Sequence, residues 1–368
     1  MKVVHIITGL RIGGAENQLQ LLLRHSRADA EVIALTNADE VADAIRHDGT
    51  PVRALDMRSN RDVLAVAKLA RWLRAMKPDV VHLHLYRATL YGRLAARLAN
   101  VRVVVTTEHS LLDGRIEGRP ATKSVRALYM ATDPCNTATI AVSKDVRARL
   151  LDWGVSDRKL RVIPNGIEVV DHPTSDRTRE EVRQELGWAD GTRVIAGIGR
   201  LSTEKRWDLL LEAAAPLLNS HLRLALIGAG AEERSLRDLA ASLRVEEHVS
   251  FLGARTDVSS LLSAVDLVVS TSPQETFGLA VLEAVVAGRP VVYVRAPAVD
   301  EIGPLAGVIK VSGDVSAVRA GLSQGLEVGD LPFLADELDI YDIRKVASQV
   351  DNVYTELLES KGRRSDSA

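Results

Sequence analysis

Short apolar runs rich in valine and isoleucine alternate with longer amphipathic stretches along the whole chain. In the first half, segments typical of helices, such as RDVLAVAKLARWLRAM and ATLYGRLAARLA, separate the runs that favour strands. The strand candidates there are VVHIIT, EVIAL, VRAL, VVHLHL, VRVVVTT, TIAVS and RVIPN. This alternation predicts an α/β fold in which a parallel sheet has helices on both faces.

The same pattern restarts after a polar, proline-containing stretch, EVVDHPTSDRT. The strand candidates that follow are RVIAGIG, LRLALIG, HVSFLG, DLVVS and PVVYV. We therefore predict two Rossmann-like, doubly wound domains, residues 1–168 and 169–349, and a C-terminal helix at about 350–362 that could pack back on the first domain. Ligands of such sheets bind beyond the carboxyl ends of the strands, so the loops there should face one central cleft.

The composition agrees with a protein of this kind. A chain of 368 residues fits two domains of ordinary size, and 46% hydrophobic with 26% charged residues is typical of a soluble globular protein. The single cysteine, Cys135, rules out an intrachain disulfide, and no apolar run is long enough to span a bilayer. The opening MKVVHIITGL runs into a glycine-rich loop instead of a cleavage site, so we expect a cytoplasmic protein.

The near-neutral total charge of −2 conceals two oppositely charged parts. Residues 1–168 contain 26 basic and 18 acidic side chains, net +8, which leaves 21 and 31, net −10, for the remainder. A basic first part could attract an anionic substrate or a membrane surface, although solvated helix faces are the commoner explanation of such charge.

Two acidic residues bracket the start of an otherwise apolar helix in PQETFGLAVLEAVVAGRP. Glu283 lies among leucine, alanine and valine, where an unpaired carboxylate is costly unless a partner satisfies it. That partner is either the hydroxyl groups of a ligand or, more simply, a neighbouring arginine or backbone amide. Glu275 precedes Gly278 in a turn whose free amides at the helix start favour phosphate.

Glycines also follow the first strand. Gly13 and Gly14 open a predicted helix, where backbone amides can approach a phosphate or a sugar closely. Neither GLRIGGAEN nor IGAGAEE has the spacing of the dinucleotide-binding G-x-G-x-x-G motif, and no Walker A sequence occurs. A nicotinamide or P-loop enzyme is therefore disfavoured.

Basic and imidazole side chains follow other predicted strands. Arg200 and Lys205 lie on a strand-to-helix loop, where two cations could hold a diphosphate as it leaves, although most surface cations have no such role. His109 is a candidate polar contact or proton-transfer group, with a structural histidine as the alternative. His82 and His84 share a strand face without partners at metal-ligand spacing, and no D-x-D motif occurs, so no metal is expected.

Several of these motifs together resemble one enzyme family. GGAEN, GRLSTEK, FLG and ETFGLAVLEAVVAGRPVV, in this order, are similar to motifs of the retaining glycosyltransferases of family 4, which have the GT-B fold. The resemblance covers nearly the whole chain, and its most specific part is the pair of glutamates separated by seven residues. It implies metal-independent transfer of a hexose or N-acetylhexosamine from a nucleoside diphosphate sugar to a hydroxyl of a sugar-containing acceptor, giving an α-linkage.

The resemblance also implies roles for individual residues. Glu283 would bind the nucleotide ribose and Glu275 the hydroxyls of the donor sugar. Arg200 and Lys205 would hold the diphosphate, and His109 would touch the donor sugar near the reacting carbon. The remaining donor-binding positions, near the diphosphate or the base, are Gly13, Gly14, Gly228, Gly253, Ala254, Arg255, Phe277, Gly278 and Leu279. The acceptor-side candidates are His84, Tyr86 and Arg87.

Two positions depart mildly from the family pattern, without loss of a functional group. Thr276 stands where glycine is common, and Arg206 where glycine often follows the lysine. Family frequency favours UDP as the nucleotide. The alternative functions are a GT-B epimerase or phosphorylase, a tailoring transferase acting on a soluble natural product, and an inactive nucleotide-binding subunit that activates a partner.

The acceptor is expected on the first domain. VVTTEHS and HLHLYRATLYGRLAARLA resemble members that build exopolysaccharide on lipid-linked intermediates, which favours an acceptor of cell-surface glycan assembly. A lipid-linked acceptor would agree with peripheral contact between the basic first domain and an anionic membrane, at its inner face. No nucleic acid is expected as a partner, and the sequence leaves the oligomeric state open.

Overall fold

The computed structural model describes residues 1–59, 62–169, 178–332 and 334–365. The chain divides into two compact units: Met1–Glu168 together with the chain from Ile340 onward, and Val169–Asp339. Residues 340–349, which the sequence analysis assigned to the second domain, therefore belong to the first unit. The reason is that Asp342 pairs with Ile167 in a β-bridge and Ile343 packs into the first unit's core, so the chain has returned before its last helix begins.

The first unit alternates strands and helices as the sequence predicts. Its strands are β1 (Lys2–Ile7), β2 (Asp29–Ala34), β3 (Val52–Ala54), β4 (Val80–His84), β5 (Val103–Glu108), β6 (Leu111–Leu112), β7 (Arg115–Ile116), β8 (Arg119–Pro120), β9 (Ala138–Ala141) and β10 (Leu160–Val162). Its helices before the second unit are α1 (Gly14–His25), α2 (Glu40–His47), α3 (Val63–Met76), α4 (Tyr86–Leu98), α5 (Lys123–Thr132) and α6 (Lys144–Trp153).

The main sheet of this unit is parallel, with the strand order β10-β9-β5-β4-β1-β2-β3 among the described residues. The order reverses between β1 and β4, which makes the carboxyl ends of these strands the place where such a sheet binds ligands. A small antiparallel sheet, β6-β7-β8, follows β5 directly and was not predicted. Its two-residue strands are too short to leave a periodic signal in the sequence.

The second unit repeats this plan. Its strands are β11 (Arg193–Ile198), β12 (Leu222–Ile227), β13 (Val249–Phe251), β14 (Leu267–Ser270), β15 (Val291–Tyr293) and β16 (Val308–Lys310). Its helices are α7 (Arg179–Glu185), α8 (Trp207–Ala214), α9 (Glu233–Ser242), α10 (Val258–Ala264), α11 (Leu279–Val286), α12 (Pro297–Ile302), α13 (Val315–Glu327) and α14 (Ala335–Leu338). The parallel sheet has the order β13-β12-β11-β14-β15-β16, with its reversal between β11 and β14.

The last helix, α15 (Ile343–Ser365), belongs to the first unit and begins earlier than the predicted 350. Val346, Val350 and Tyr354 lie on one face of it and pack with Val3 and Val105 of the sheet. This buried face explains why the strands read as continuous apolar runs, since helices cover both sides of the sheet. Among the described residues, no helix combines the length and apolar character that crossing a bilayer requires.

Local signals fix several helix ends. Thr178 and Glu181 form a reciprocal capping box at the start of α7, and the side chain of Asp62 accepts a hydrogen bond from the Ala65 amide at the start of α3. Such caps satisfy amides that a helix leaves unpaired. At the end of α6, Gly154 adopts φ 100°, a left-handed conformation that glycine enters without strain.

Candidate active site

In the second unit the predicted donor residues come together where the strand order reverses. Arg200 and Lys205 lie on the loop after β11, Glu275 on the loop after β14, and Glu283 on α11, which follows that loop. The two loops are tied together, since the Thr271 hydroxyl hydrogen-bonds to the Lys205 carbonyl oxygen at 2.9 Å. Neighbouring parallel strands thus present two cations and two carboxyl groups at one sheet edge.

Lys205 and Glu275 form an ion pair, with Nζ 2.5 Å from Oε1. Their side chains are 29% and 14% exposed, so both are largely withdrawn from solvent. Lys205 ends a short 3-10 turn, and Arg206 follows it at φ 54° and ψ 44°. Glycine adopts this left-handed conformation without strain, which explains why it suits the position after the lysine. Here the position is occupied by Arg206, whose side chain pairs with Asp208.

Arg200 contrasts with Lys205. Its side chain is exposed and makes no hydrogen bond or ion pair with the described residues, while its carbonyl oxygen accepts a hydrogen bond from Trp207 Nε1 at 2.9 Å. The buried indole of Trp207 therefore fixes the backbone at Arg200 and leaves the guanidinium available to an anion.

Glu283 lies on α11 and is only partly exposed. Burial raises the pKa of its carboxyl to about 7. The described residues provide it with neither an arginine nor an amide, so the simpler explanation that the sequence allowed does not apply. A buried acid without a partner destabilises the ligand-free protein and becomes favourable when a hydrogen-bonding ligand supplies one.

The start of α11 is built by glycine. Gly278 is the N-cap at φ 93°, and a Cβ there would lie 2.8 Å from the Ala296 Cβ. The Phe277 side chain is buried in the core, and α11 begins at Leu279 without a side-chain cap. The amides at this helix start are therefore not occupied by a capping side chain, which suits an anion.

Four of the predicted donor-binding positions, Gly228, Gly253, Ala254 and Arg255, lie on the loops after β12 and β13. A Cβ on Gly228 would lie 2.0 Å from the Gly199 carbonyl oxygen, so only glycine allows the loops after β11 and β12 to approach. The Gly228 amide donates to the Gly253 carbonyl oxygen at 2.8 Å, and Ala254 is exposed beside it. The Arg255 guanidinium is bound by Asp257 and Glu185, which leaves the backbone as the available contact there.

In the first unit, Gly13 and His109 lie at the corresponding sheet edge. Gly13 is the extended N-cap of α1, which starts at Gly14 without a side-chain cap. His109 follows β5 and is partly exposed. A cavity of about 30 Å³, large enough for one or two water molecules, is lined by polar groups of Gln18, His109 and Asn165 and by apolar side chains of α15.

The structure brings a third histidine to His82 and His84, a partner that the sequence analysis missed. His5 on β1 is opposite His82 on the adjacent β4, and ligand atoms of these three buried residues lie within 4.8 Å of one another. A histidine in the first strand was visible in the sequence, but its relation to His82 and His84 follows only from the pairing of β1 with β4.

This cluster is arranged as a hydrogen-bond network. Both His82 nitrogens are occupied, Nδ1 by the Tyr354 hydroxyl and Nε2 by the Thr107 hydroxyl, each at 2.6 Å. A metal ion bound there by His82 would have to break one of these bonds. Burial lowers the pKa of His5 to about 3 and holds the pKa values of His82 and His84 well below 6.5, so all three are neutral at pH 7.

Two of the three acceptor-side candidates lie beneath the surface. His84 is 2% exposed, and Tyr86 is 4% exposed with its hydroxyl donating to the Val125 carbonyl oxygen. Their side chains therefore have little surface to offer an acceptor. Arg119, on the antiparallel β6-β7-β8 segment, lies over the Tyr86 ring, while His84 packs against His5 and His109. Arg87 remains partly exposed.

Comparison with known proteins agrees with this architecture. Anabaena HepE in complex with UDP and glucose is similar in structure, with a TM-score of 0.85 and 22% identity over 97% of this chain and 100% of that one. Sucrose-phosphate synthase from Thermosynechococcus elongatus matches with a TM-score of 0.78 and 18% identity over 98% and 100%. The fold is GT-B, with two parallel-sheet α/β domains.

Two family models together match most of the chain, Glycosyltransferase Family 4 over residues 12–170 and Glycosyl transferases group 1 over residues 178–327. The chain belongs to the family 4-like glycosyltransferases, which use nucleotide-sugar donors.

Its relatives differ in their substrates. The Escherichia coli UDP-Gal:alpha-D-GlcNAc-diphosphoundecaprenol alpha-1,3-galactosyltransferase is 26% identical over 258 residues, 68% of this chain and 67% of that one. The D-inositol 3-phosphate glycosyltransferase of Corynebacterium jeikeium is 31% identical over 236 residues, 59% and 56%.

Proposed function

We propose that this glycosyltransferase transfers a hexose or N-acetylhexosamine from a UDP-sugar, without a metal ion and with retention, to give an α-linkage on a sugar-containing acceptor. The observation that supports the donor site is that two charged groups at one sheet edge have no partner in the part of the chain that the structure describes. Arg200 offers an exposed, unpaired guanidinium among the described residues, and Glu283 a carboxyl without a partner. A nucleoside diphosphate supplies an anion for the first and a ribose diol for the second.

The bond changes assign each group a role. The bond between the anomeric carbon and the diphosphate oxygen breaks, while an acceptor oxygen bonds to the same face and its proton passes to the leaving phosphate. Arg200, Lys205 and the amides at the start of α11 stabilise the negative charge that develops on the diphosphate. Glu275 holds the sugar hydroxyls. Basic groups of the chain thus take the place of a metal ion, in agreement with the missing D-x-D motif.

One sequence relative and one structural neighbour bear on the choice of donor and acceptor. The E. coli relative is named for UDP-Gal and a diphosphoundecaprenol acceptor, and HepE was solved with UDP and glucose. Together with the basic first part of the chain, net +8 over residues 1–168, this favours a lipid-linked acceptor of cell-surface glycan assembly. Peripheral contact with the inner face of an anionic membrane follows from the same charge.

The donor is tested by thermal shifts with UDP, GDP, ADP and TDP, each with Mg²⁺ and with EDTA. We expect the largest shift with UDP and the same shift under both conditions. A preference for another base, or binding that requires Mg²⁺, would contradict the corresponding part of the proposal.

The stereochemistry of transfer and the class of acceptor are tested by two further experiments. Proton NMR of the product should show an α-anomer from an α-donor, and a β-product would contradict retention. In a flotation experiment at low salt, the protein should rise with anionic vesicles. If the protein stays unbound and turns over a soluble acceptor, the tailoring function is correct instead.

A further inference from the structure

A row of three histidines connects the sheet interior of the first unit to its ligand-binding edge. Nδ1 of His5 is 3.0 Å from Nε2 of His84, and Nδ1 of His84 is 3.2 Å from Nε2 of His109. The rings follow one another at centroid separations of 5.3 and 5.5 Å, tilted by 21° and 28°. The three residues come from β1, from β4 and from the end of β5, which are neighbours in the sheet.

Two members of the row are inaccessible. His5 is 1% exposed and His84 is 2% exposed, whereas His109 at the end is partly exposed. Nε2 of His5 is buried and has no hydrogen-bond partner among the described residues. A buried nitrogen without a hydrogen-bond partner lowers stability, and an apolar side chain at position 5 would avoid that loss.

We propose that His84, supported by His5, is a positioning residue of the glycosyl-transfer site, which fixes the tautomer and ring orientation of His109. The proposal rests on the proposed contact between His109 and the donor sugar, and it adds two residues to that site.

Counting protons shows why the tautomers are coupled. A neutral imidazole has one N–H donor and one acceptor nitrogen, and each nitrogen-to-nitrogen hydrogen bond requires one proton. Two bonds among three neutral rings therefore allow only two arrangements. In the first, His5 donates to His84 and His84 donates to His109, which then carries its proton on Nδ1. In the second, His109 donates from Nε2 to His84, and His84 donates to His5. His84 transmits the choice to His109.

Burial maintains the neutral state that this counting requires. It lowers the pKa of His5 to about 3 and, against the effect of a hydrogen bond with Asn165, that of His109 to about 4. Other groups that face the row are His82, Thr107 and Tyr354, and their bonds to one another keep His82 outside it.

Nitrogen-15 NMR of the full-length, histidine-labelled protein tests the coupling without any substrate. In the wild type we expect a single neutral tautomer of His109 from pH 8 to pH 5.5. His84→Phe keeps a planar ring but cannot hydrogen-bond, so the balance between the two His109 tautomers should shift. His82→Phe is the matched control, because it changes the same face of the same strand and leaves the row intact.

Turnover shows whether His84 acts through His109. His84→Phe should lower kcat about tenfold, and adding it to His109→Ala should cause no further loss, since residues that act as a unit are not additive. Should His84→Phe fail to fold, His84→Gln and His5→Phe are measured in the same way.

The outcomes separate the two proposals. An unchanged His109 tautomer in folded His84 variants overturns the positioning role, and so does full additivity with His109→Ala. Full activity of His109→Ala overturns the proposed role of His109 in transfer, whereas the NMR result still decides whether the row sets its tautomer.

Discussion

Lys205 and Glu275, 70 residues apart in the chain, bind each other at 2.5 Å across the two loops at the reversal of the second sheet. The family resemblance assigns one to the diphosphate and the other to the sugar of the same donor. Without a ligand each satisfies the other, so the ion pair stabilises the empty site, and a bound donor has to replace it with contacts of its own.

Removing the cation should therefore cost both stability and activity. In Lys205→Met, Glu275 is left largely buried without its partner, and we expect a loss of about 1–2 kcal/mol in the free energy of unfolding. Turnover should fall at least tenfold. Denaturant titration and initial rates measure the two effects.

Arg200→Met is the matched comparison, because Arg200 is exposed and unpaired among the described residues. Its free energy of unfolding should stay within about 0.5 kcal/mol of the wild type, while affinity for UDP falls about tenfold. Equal destabilisation by both substitutions would show that the ion pair contributes nothing.

Glu283→Gln should make the protein more stable and weaken nucleotide binding. Burial raises the pKa of Glu283 to about 7, above its ordinary 4.5. The folded protein therefore favours the protonated, neutral carboxyl group. The contribution of Glu283 to the free energy of unfolding is fully present below pH 4.5 and is lost as the pH rises through 7. At pH 8 the amide should add on the order of 2 kcal/mol to the free energy of unfolding.

Isothermal calorimetry with UDP should show at least a tenfold loss of affinity for the same variant. Weaker binding without the gain in stability would indicate that a partner already satisfies the carboxylate in the free protein.

The buried histidines should make the protein sensitive to acid. The pKa of His5 falls from 6.5 to about 3 on folding, so the unfolded chain binds the proton between these values. The stability contributed by neutral, buried His5 is present above pH 6.5 and is lost as the pH falls toward 3. Between pH 6.5 and 5.5 it should contribute a loss of about 1 kcal/mol.

Denaturant titrations at pH 7.5 and 5.5 measure this difference, which His5→Phe should reduce. His47→Phe is the control, since the side chain of His47 is 92% exposed. The same reduction in both variants would contradict the assignment to burial.

Gly228→Ala should be strongly destabilising. The added Cβ would lie 2.0 Å from the Gly199 carbonyl oxygen, and Gly228 adopts φ 148°. Because the clash is with backbone, we expect a loss of about 3 kcal/mol or more, measured by denaturant titration. Gly329→Ala, where nothing lies within 4 Å of the added carbon, should change stability by less than about 0.5 kcal/mol.

The sequence by itself determined the architecture. Two sets of alternating strands and helices, separated near residue 168, predicted two parallel α/β domains, because the periods of apolar residues depend on neighbours a few positions apart. It also located the loops that carry Arg200, Lys205 and Glu275, since a loop after a strand of a parallel sheet lies at its carboxyl edge.

Tertiary structure decided the contacts between distant segments. The return of the chain to the first unit at Ile340 and the burial of Tyr86 depend on packing between segments that are far apart in the sequence. The row formed by His5, His84 and His109 depends on which strands are neighbours. Local periodicity contains no record of strand order. The same holds for the Lys205–Glu275 ion pair, whose two loops meet only because β11 and β14 lie side by side.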